Sequence, residues 1–301
     1  MGMANTARVF PRKTEATPTD ELAFVNCPPP LLTLPEIDEV HISVAFTYDI
    51  PRAEELAYQW EVVGVPIRVG GPAYNEPGGE FIPGRYLKYG YTVTSRGRPN
   101  RCWFCKVPER EGGVLRELPI KDGWNILDDN LLACSEDHIR MVFSMLAKQP
   151  QRPIFSGGLE AKLLRPWHVE ELYNVRTKRM YFAYDTPDDL EPLFTAGKLL
   201  RAGGFTPQSH KAACYVLIGY PGDNTNLAEI RLLSAWDAGF WPYAMLYRDT
   251  DSPSAKMYIT SRRGKLQPVS QEWQKFYRNW SRPEIVGAQL QQIEPLWMED
   301  Y

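Results

Sequence analysis

Residues Met180 to Ala202 read MYFAYDTPDDLEPLFTAGKLLRA. The first five, Met180–Tyr184, form a short apolar and aromatic run of strand type. Asp185 and Thr186 then precede Pro187, Asp188 and Asp189, a helix start with a capping side chain, a first-turn proline and acids at the positive helix end. A helical pattern follows over Leu190–Ala202. A strand that passes directly into a capped helix is half of a parallel β/α unit.

The same alternation extends in both directions. Strand-like runs occur at Tyr91–Thr94, Asn125–Leu127, Pro153–Phe155, Met180–Tyr184, Cys214–Ile218 and Tyr243–Leu246. Helical patterns lie between them at Glu136–Lys148, Trp167–Asn174, Leu190–Ala202 and Leu227–Ala238. Six strands with alternating helices predict an α/β chain, a partial (β/α)6 TIM-like barrel, rather than an antiparallel sandwich. A further helix around Gln271–Trp280 lies outside the repeat. In such a barrel the chemistry belongs at the carboxyl ends of the strands. The segments to read are therefore Ser95–Cys105, Asp128–Asn130, Ser156–Glu160, Asp185, Gly219–Asp223 and Tyr247–Asp249, nearly all polar or glycine.

Upstream, residues 1 to about 38 carry prolines, threonines and charges, and an irregular arm is expected there. Val40–Phe46 alternates as a strand, Arg52–Trp60 reads as a helix opened by Pro51, and Pro66–Gly71 reads as a second strand. The expectation is an arm with a small strand–helix–strand unit over 1–84, then the barrel with its C-terminal helix over 85–301. The Gly/Pro-rich stretch Gly70–Gly84 makes the boundary.

The totals exclude several classes. Of 301 residues, 44% are hydrophobic, enough for a sizeable core, and the formal net charge of −3 does not make non-specific nucleic-acid binding the default. No stretch approaches the ~20 apolar residues of a membrane span, and no signal peptide is evident, so a cytoplasmic protein without membrane contact is expected. Cys27, Cys102, Cys105, Cys134 and Cys214 are odd in number, which argues against a secreted disulfide framework. P-loop, zincin and nucleophile-elbow motifs are absent.

Cys102 and Cys105 form a C-x-x-C pair after the first barrel strand. A zinc site needs two more ligands, and no second C-x-x-C exists. A thioredoxin-like pair sits at a helix start in a small domain. Two unrelated buried thiols are the plain alternative. The surrounding residues add information: Ser95-Arg96-Gly97-Arg98-Pro99-Asn100-Arg101-Cys102-Trp103-Phe104-Cys105 resembles the cluster loop of the radical S-adenosylmethionine (radical SAM) superfamily. That loop is Cys, three residues, Cys, two residues, Cys, with an aromatic before the last. Arg98 stands where the first cysteine is expected. The resemblance covers about residues 85 to 250.

The resemblance implies a 4Fe–4S cluster held by thiolates, with Cys102 and Cys105 as metal ligands. It implies S-adenosylmethionine as the second cofactor, cleaved by an electron from the cluster to start radical chemistry by hydrogen abstraction from an unactivated carbon. Ser156-Gly157-Gly158-Leu159-Glu160 is similar to the segment that receives the methionyl amino group. Asp185 suits a ribose hydroxyl, or alternatively a helix cap. Gly219 to Asp223 is similar to the glycine-rich segment near adenine, with Ile218 and Phe104 placed to sandwich the base. The cofactor-binding set is thus Phe104, Gly157, Gly158, Glu160, Asp185, Ile218 and Gly219. A small-molecule or nucleobase substrate and an electron donor such as a flavodoxin or ferredoxin follow as partners. Arginine is a very poor metal ligand. Three alternatives follow: the two cysteines hold a smaller or labile cluster, a third ligand comes from elsewhere, Cys134 or Cys27, or the chain is a cluster-deficient barrel acting as a non-catalytic binding or scaffold protein.

Val69–Ala73 looks similar to part of a cobalamin-binding-type domain, but no Asp-x-His-x-x-Gly signature is present and cobalamin is not expected. Asp128, Asp129, Asn130, Tyr247, Arg248 and Asp249 are candidates for the substrate side, with a rim salt bridge of Arg248 as the simpler role. The histidines His41, His138, His168 and His210 show no metal spacing. His138 and His168 are read as surface or packing residues, and Cys134 as a buried inert thiol.

Overall fold

The computed structural model describes residues 5–77, 79–248 and 270–291, with the short strands Tyr258–Thr260 and Leu266–Pro268. The chain forms two compact units that divide between Gly123 and Trp124.

The first unit carries a four-stranded parallel sheet. Its strands are β1 (Thr6–Phe10), β2 (Ala23–Val25), β3 (Glu39–Ser43) and β4 (Ile67–Gly70), in the order β2-β1-β3-β4. Helix α1 (Ile50–Trp60) makes the crossover from β3 to β4, with Pro51 in its first turn. It buries Ala53, Leu56 and Trp60 in one core with Ala7, Val9, Val40, Ile42 and Val44. The expected strand–helix–strand is therefore present, but the expected irregular arm is not: it supplies two strands. Arg8 hides β1 in the sequence by breaking its apolar run. The guanidinium is tolerated inside because it meets Asp20 and donates to the carbonyls of Gly84 and Arg85 at 3.1 and 3.0 Å.

The rest of this unit holds β5 (Tyr91–Thr92), β6 (Ser95–Arg96), α2 (Val107–Glu111) and β7 (Arg116–Glu117). β6 and β7 pair antiparallel, Ser95 with Glu117 and Arg96 with Arg116. Residues 97–115 between them form a loop anchored at both ends.

The second unit is built on parallel strands. β8 (Asn125–Ile126), β9 (Ile154–Leu159), β10 (Arg179–Tyr184), β11 (Ala212–Ile218) and β12 (Trp241–Leu246) lie side by side in sequence order. Helices α3 (Glu136–Leu146), α4 (Pro166–Asn174), α5 (Leu190–Ala202) and α6 (Thr225–Asp237) connect them. Ser135 caps α3 and Asn224 caps α6 through side-chain oxygens that accept from His138 and Leu227 N–H. β13 (Tyr258–Thr260) and β14 (Leu266–Pro268) pair antiparallel, and α7 (Gln271–Ser281) and α8 (Pro283–Leu290) follow.

The two sheet faces differ in chemistry. One carries Phe155, Met180, Phe182, Tyr184, Cys214, Val216, Ile218 and Ala244, all buried, as are Leu193, Ala196, Leu200, Ala228 and Leu232 of the helices. The other carries Arg179, Tyr181, Ala183, Tyr215, Tyr243 and Met245, none of them fully buried, together with the buried Ala213, Leu217 and Trp241. Strand alternation puts the residues that follow the strands on one face or the other, and so positions the site. Among the described residues no helix is long and apolar enough to cross a membrane.

Candidate functional site

The cysteine pair lies in the first unit, in the loop between β6 and β7. Leu118 N–H donates to the Thr94 carbonyl at 2.8 Å and closes the loop's base. Gly97 turns the chain at φ +81°, and a Cβ there would stand 2.0 Å from the Val114 carbonyl oxygen, so only glycine fits. Cys105 N–H donates to the Cys102 carbonyl at 3.0 Å, which folds the C-x-x-C segment into one turn. Val107 N–H, opening α2, lies 3.4 Å from Cys105 Sγ. The carboxylate of Glu111, fully buried, holds Arg110 at 2.8 Å and also Arg116, which ties α2 to β7. Cys102 and Cys105 are each partly accessible. Phe104 is half-buried and meets the exposed Trp103 edge-on, with ring centroids 5.4 Å apart.

A 4Fe–4S centre of the implied type asks for three thiolates. This loop offers two, and a guanidinium in the third place. Arg98 is half-buried, and its Nε is shut away from solvent with no hydrogen-bond partner. Among the described residues, no group of three or more His, Cys, Asp or Glu is arranged to hold a metal. Cys27 is exposed, and Cys134 and Cys214 are buried. Burial pushes the Cys214 thiol well up from its ordinary value, with Asp185 and Asp189 adding to the effect, so it resists becoming a thiolate ligand. The donor set does not fit the cluster.

The other implied residues follow neighbouring strands of the second unit. β9 runs on through Ser156-Gly157-Gly158 to Leu159, where the sequence suggested a turn after Phe155. Gly157 explains the extension: a Cβ there would lie 2.0 Å from the Asp128 carbonyl oxygen, so the backbone after β8 approaches directly. A Cβ on Gly158 would meet nothing within 4 Å. Glu160 ends the segment. Its carboxylate accepts from Asn130 Nδ2 at 2.6 Å and pairs with Lys162 at 2.7 Å. Asp128 and Asn130 are buried, and Asn130 Oδ1 has no hydrogen-bond partner.

After β10, Thr186, one of the two expected cap positions, is the N-cap in a capping box with Asp189, and Asp185 is not the cap. Asp189 Oδ2 accepts from the N–H groups of Asp185 and Thr186 at 3.1 and 2.8 Å. Asp185 is thereby fixed in backbone without serving as the cap. After β11, Gly219 N–H donates to Asp223 Oδ2 at 2.8 Å, and Arg231 of α6 meets the same oxygen at 2.7 Å. Arg231 also donates to the Leu217 carbonyl at 3.1 Å and lies 5.1 Å from the Tyr220 ring centroid. The Asp223 side chain is fully buried, and its Oδ1 has no hydrogen-bond partner. Ile218 is fully buried on the face shared with Cys214 and Val216.

No family model matches the chain, and no curated protein matches it.

The strand ends of this unit thus gather Asp128, Asn130, Glu160, Asp185 and Asp223, with Lys162 and Arg231 bound into the set. Of these, Glu160 and Asp185 are partly exposed, while Asp128, Asn130 and the Asp223 side chain are buried. Such a rim suits a ligand that brings donors or positive charge: an ammonium, a sulfonium or ribose hydroxyls. Asp223 and Arg231 were missed as a working pair by the sequence reading, which took Gly219–Asp223 as a glycine-rich segment near adenine. The available signal was the spacing, an aspartate four residues past the glycine and an arginine eight further on. Arg248 makes a contact of its own, and Asp249 lies outside the described residues. His138 and His168 are both buried, so they are packing residues.

Proposed function

We propose that this chain is built on the radical SAM plan, a partial (β/α)6 TIM-like barrel, and that it binds an adenosyl ligand such as S-adenosylmethionine at the strand ends of its second unit without holding the cluster. The acceptor-rich rim after β8 to β11 carries the reading. The partly exposed carboxylates Glu160 and Asp185 offer partners to the ammonium and ribose hydroxyls of that ligand, while Asn130 Oδ1 and Asp223 Oδ1 are buried without a hydrogen-bond partner. In this account Glu160 takes the amino group, Asp185 a ribose hydroxyl, and Gly158 and Gly219 border the nucleoside. A cytoplasmic setting suits a chain with free thiols.

The parent activity of that plan is reductive cleavage of S-adenosylmethionine, with electrons from a flavodoxin or ferredoxin and radical chemistry on a small-molecule or nucleobase substrate. Arg98 is the specific observation against assigning it here. A permanent cation stands in place of an anionic ligand, and among the described residues no third thiol is arranged with the other two. The chain's own residues therefore favour the cluster-deficient binding role.

Isothermal titration of the purified protein with S-adenosylhomocysteine tests the assignment. The expected result is one saturable site, weakened about tenfold or more in Glu160→Gln, since a charge-assisted hydrogen bond contributes ~1.5–3 kcal/mol. Absence of binding to the wild type rejects it.

A further inference from the structure

The loop that lacks a cluster ligand keeps a complete pair of another kind. Cys102 and Cys105 end one turn, closed by Cys105 N–H on the Cys102 carbonyl at 3.0 Å. Such a turn holds its end Cα atoms within about 7 Å, and a disulfide spans about 4.4–6.8 Å between them. No disulfide joins the two, and both are partly accessible, whereas Cys134 and Cys214 are buried. The pair stands directly before α2, whose Val107 N–H lies 3.4 Å from Cys105 Sγ. The ties that hold the loop, β6 on β7 and Leu118 N–H on the Thr94 carbonyl, lie outside the ring that a bond between the two sulfurs would close. Closing so short a ring removes little entropy from the unfolded chain, and exposed disulfides of this kind are the readily reduced ones.

Charge in the loop is one-sided. Residues 97–115 carry Arg98, Arg101, Lys106 and Arg110 against Glu109 and Glu111, in a chain of net charge −3. The two acids are already answered: Lys106 meets Glu109 at 3.1 Å, and Arg110 and Arg116 hold Glu111. Arg98 and Arg101 pair with no acid among the described residues, and Arg101 is exposed. The cysteines therefore stand beside surplus positive charge, which raises the local concentration of an anionic reagent.

We propose that Cys102 and Cys105 are a redox-active dithiol that exchanges with an anionic low-molecular-weight disulfide of the glutathione class. The proposal rests on the cluster-free reading above, because sulfurs that ligate a cluster cannot exchange, and it is independent of the adenosyl ligand. One sulfur attacks the small disulfide, forms a mixed disulfide and expels the first thiol. The other sulfur then displaces the second thiol, and the Cys102–Cys105 bond closes. The pair gives up two electrons and two protons, and the small disulfide becomes two thiols. Excess small thiol runs both steps in reverse.

The test uses the full chain carrying Cys27→Ser, which removes the other exposed thiol. Its iron and sulfide content is measured first. It is then incubated anaerobically with glutathione disulfide and a chelator, quenched in acid, alkylated and mapped by mass spectrometry. The peptide holding both cysteines is expected to lose two hydrogens, to resist alkylation, and to regain both thiols with reduced glutathione. Adding Cys105→Ser is expected to stop the reaction at a stable glutathione adduct on Cys102. Adding Arg101→Glu instead is expected to slow exchange with glutathione disulfide about three- to tenfold at low salt, and to leave exchange with the uncharged hydroxyethyl disulfide within about twofold. Iron-free thiols that stay reduced, or that take up glutathione separately without closing on each other, overturn the proposal alone. Equal slowing of both reagents by Arg101→Glu, or of neither, overturns the anionic partner. A cluster found on these sulfurs overturns the cluster-free reading and the proposal with it.

Discussion

Arg98 places a guanidinium with a buried, unanswered Nε in a loop whose base is otherwise well tied. Gly97 before it and the Cys102–Cys105 turn after it fold the loop tightly on both sides of Arg98. Asp223 shows the opposite case, a buried charge that is answered. It joins Gly219 N–H, Arg231 and through it the Leu217 carbonyl. Asp223→Ala is expected to cost ~3–5 kcal/mol, because it leaves Arg231 as a lone buried cation. The double variant Asp223→Ala/Arg231→Met is expected to cost less than the single one. Urea unfolding midpoints measure both, and equal losses would argue that the pair is not coupled. Sequence alone could name the cysteines and glycines, since spacing carries them. It could not show Asp223 gripping Gly219, since that bond depends on how a turn closes.

At the scale of elements, the β/α alternation was legible nearly throughout the second unit. Leu190–Ala202 has the same bounds in sequence pattern and structure, and β10 differs by one residue. Two features were hidden for physical reasons. β1 carries Arg8, whose partners lie far along the chain, and β9 continues through glycines that read as a turn. Helix α5 sits where Gly197 meets the turn after α6, and a Cβ there would stand 1.8 Å from the Ala238 carbonyl oxygen. Gly197→Ala is therefore expected to destabilise the protein by at least ~1–3 kcal/mol despite its better helix propensity, read from the thermal midpoint. A gain in stability would contradict this packing. Helix α4 contributes a pH dependence. His168 is buried at its start, accepts from Arg165 N–H through Nδ1 at 3.0 Å, and has its pKa lowered to about 4 by burial and then by Arg165. The unfolded chain takes up that proton below the ordinary value of 6.5, while the folded chain stays neutral until about 4. Stability should thus fall as pH drops from 6.5 to 4, and His168→Gln should flatten the fall by an amount on the order of 1–3 kcal/mol. Urea unfolding at pH 7 and pH 5 for both proteins checks it. A slope shared by the two would remove His168 as the cause.

For the whole molecule, a parallel α/β build with acceptors gathered at the strand ends of its second unit agrees with the reading taken from residues 180–202 and their neighbours. Legibility stopped at the cluster. Spacing located the loop, but whether a metal centre forms depends on ligand number, and there the chain itself departs from the pattern it resembles. The central claim is that one residue, Arg98, separates this chain from a cluster-holding one. Iron and sulfide content after anaerobic reconstitution, measured side by side on the wild type and on Arg98→Cys, tests it most directly. The account predicts no stable cluster in the wild type and about four irons with matching sulfide in Arg98→Cys. A wild type that holds a full cluster, or an Arg98→Cys variant that holds none, would contradict it.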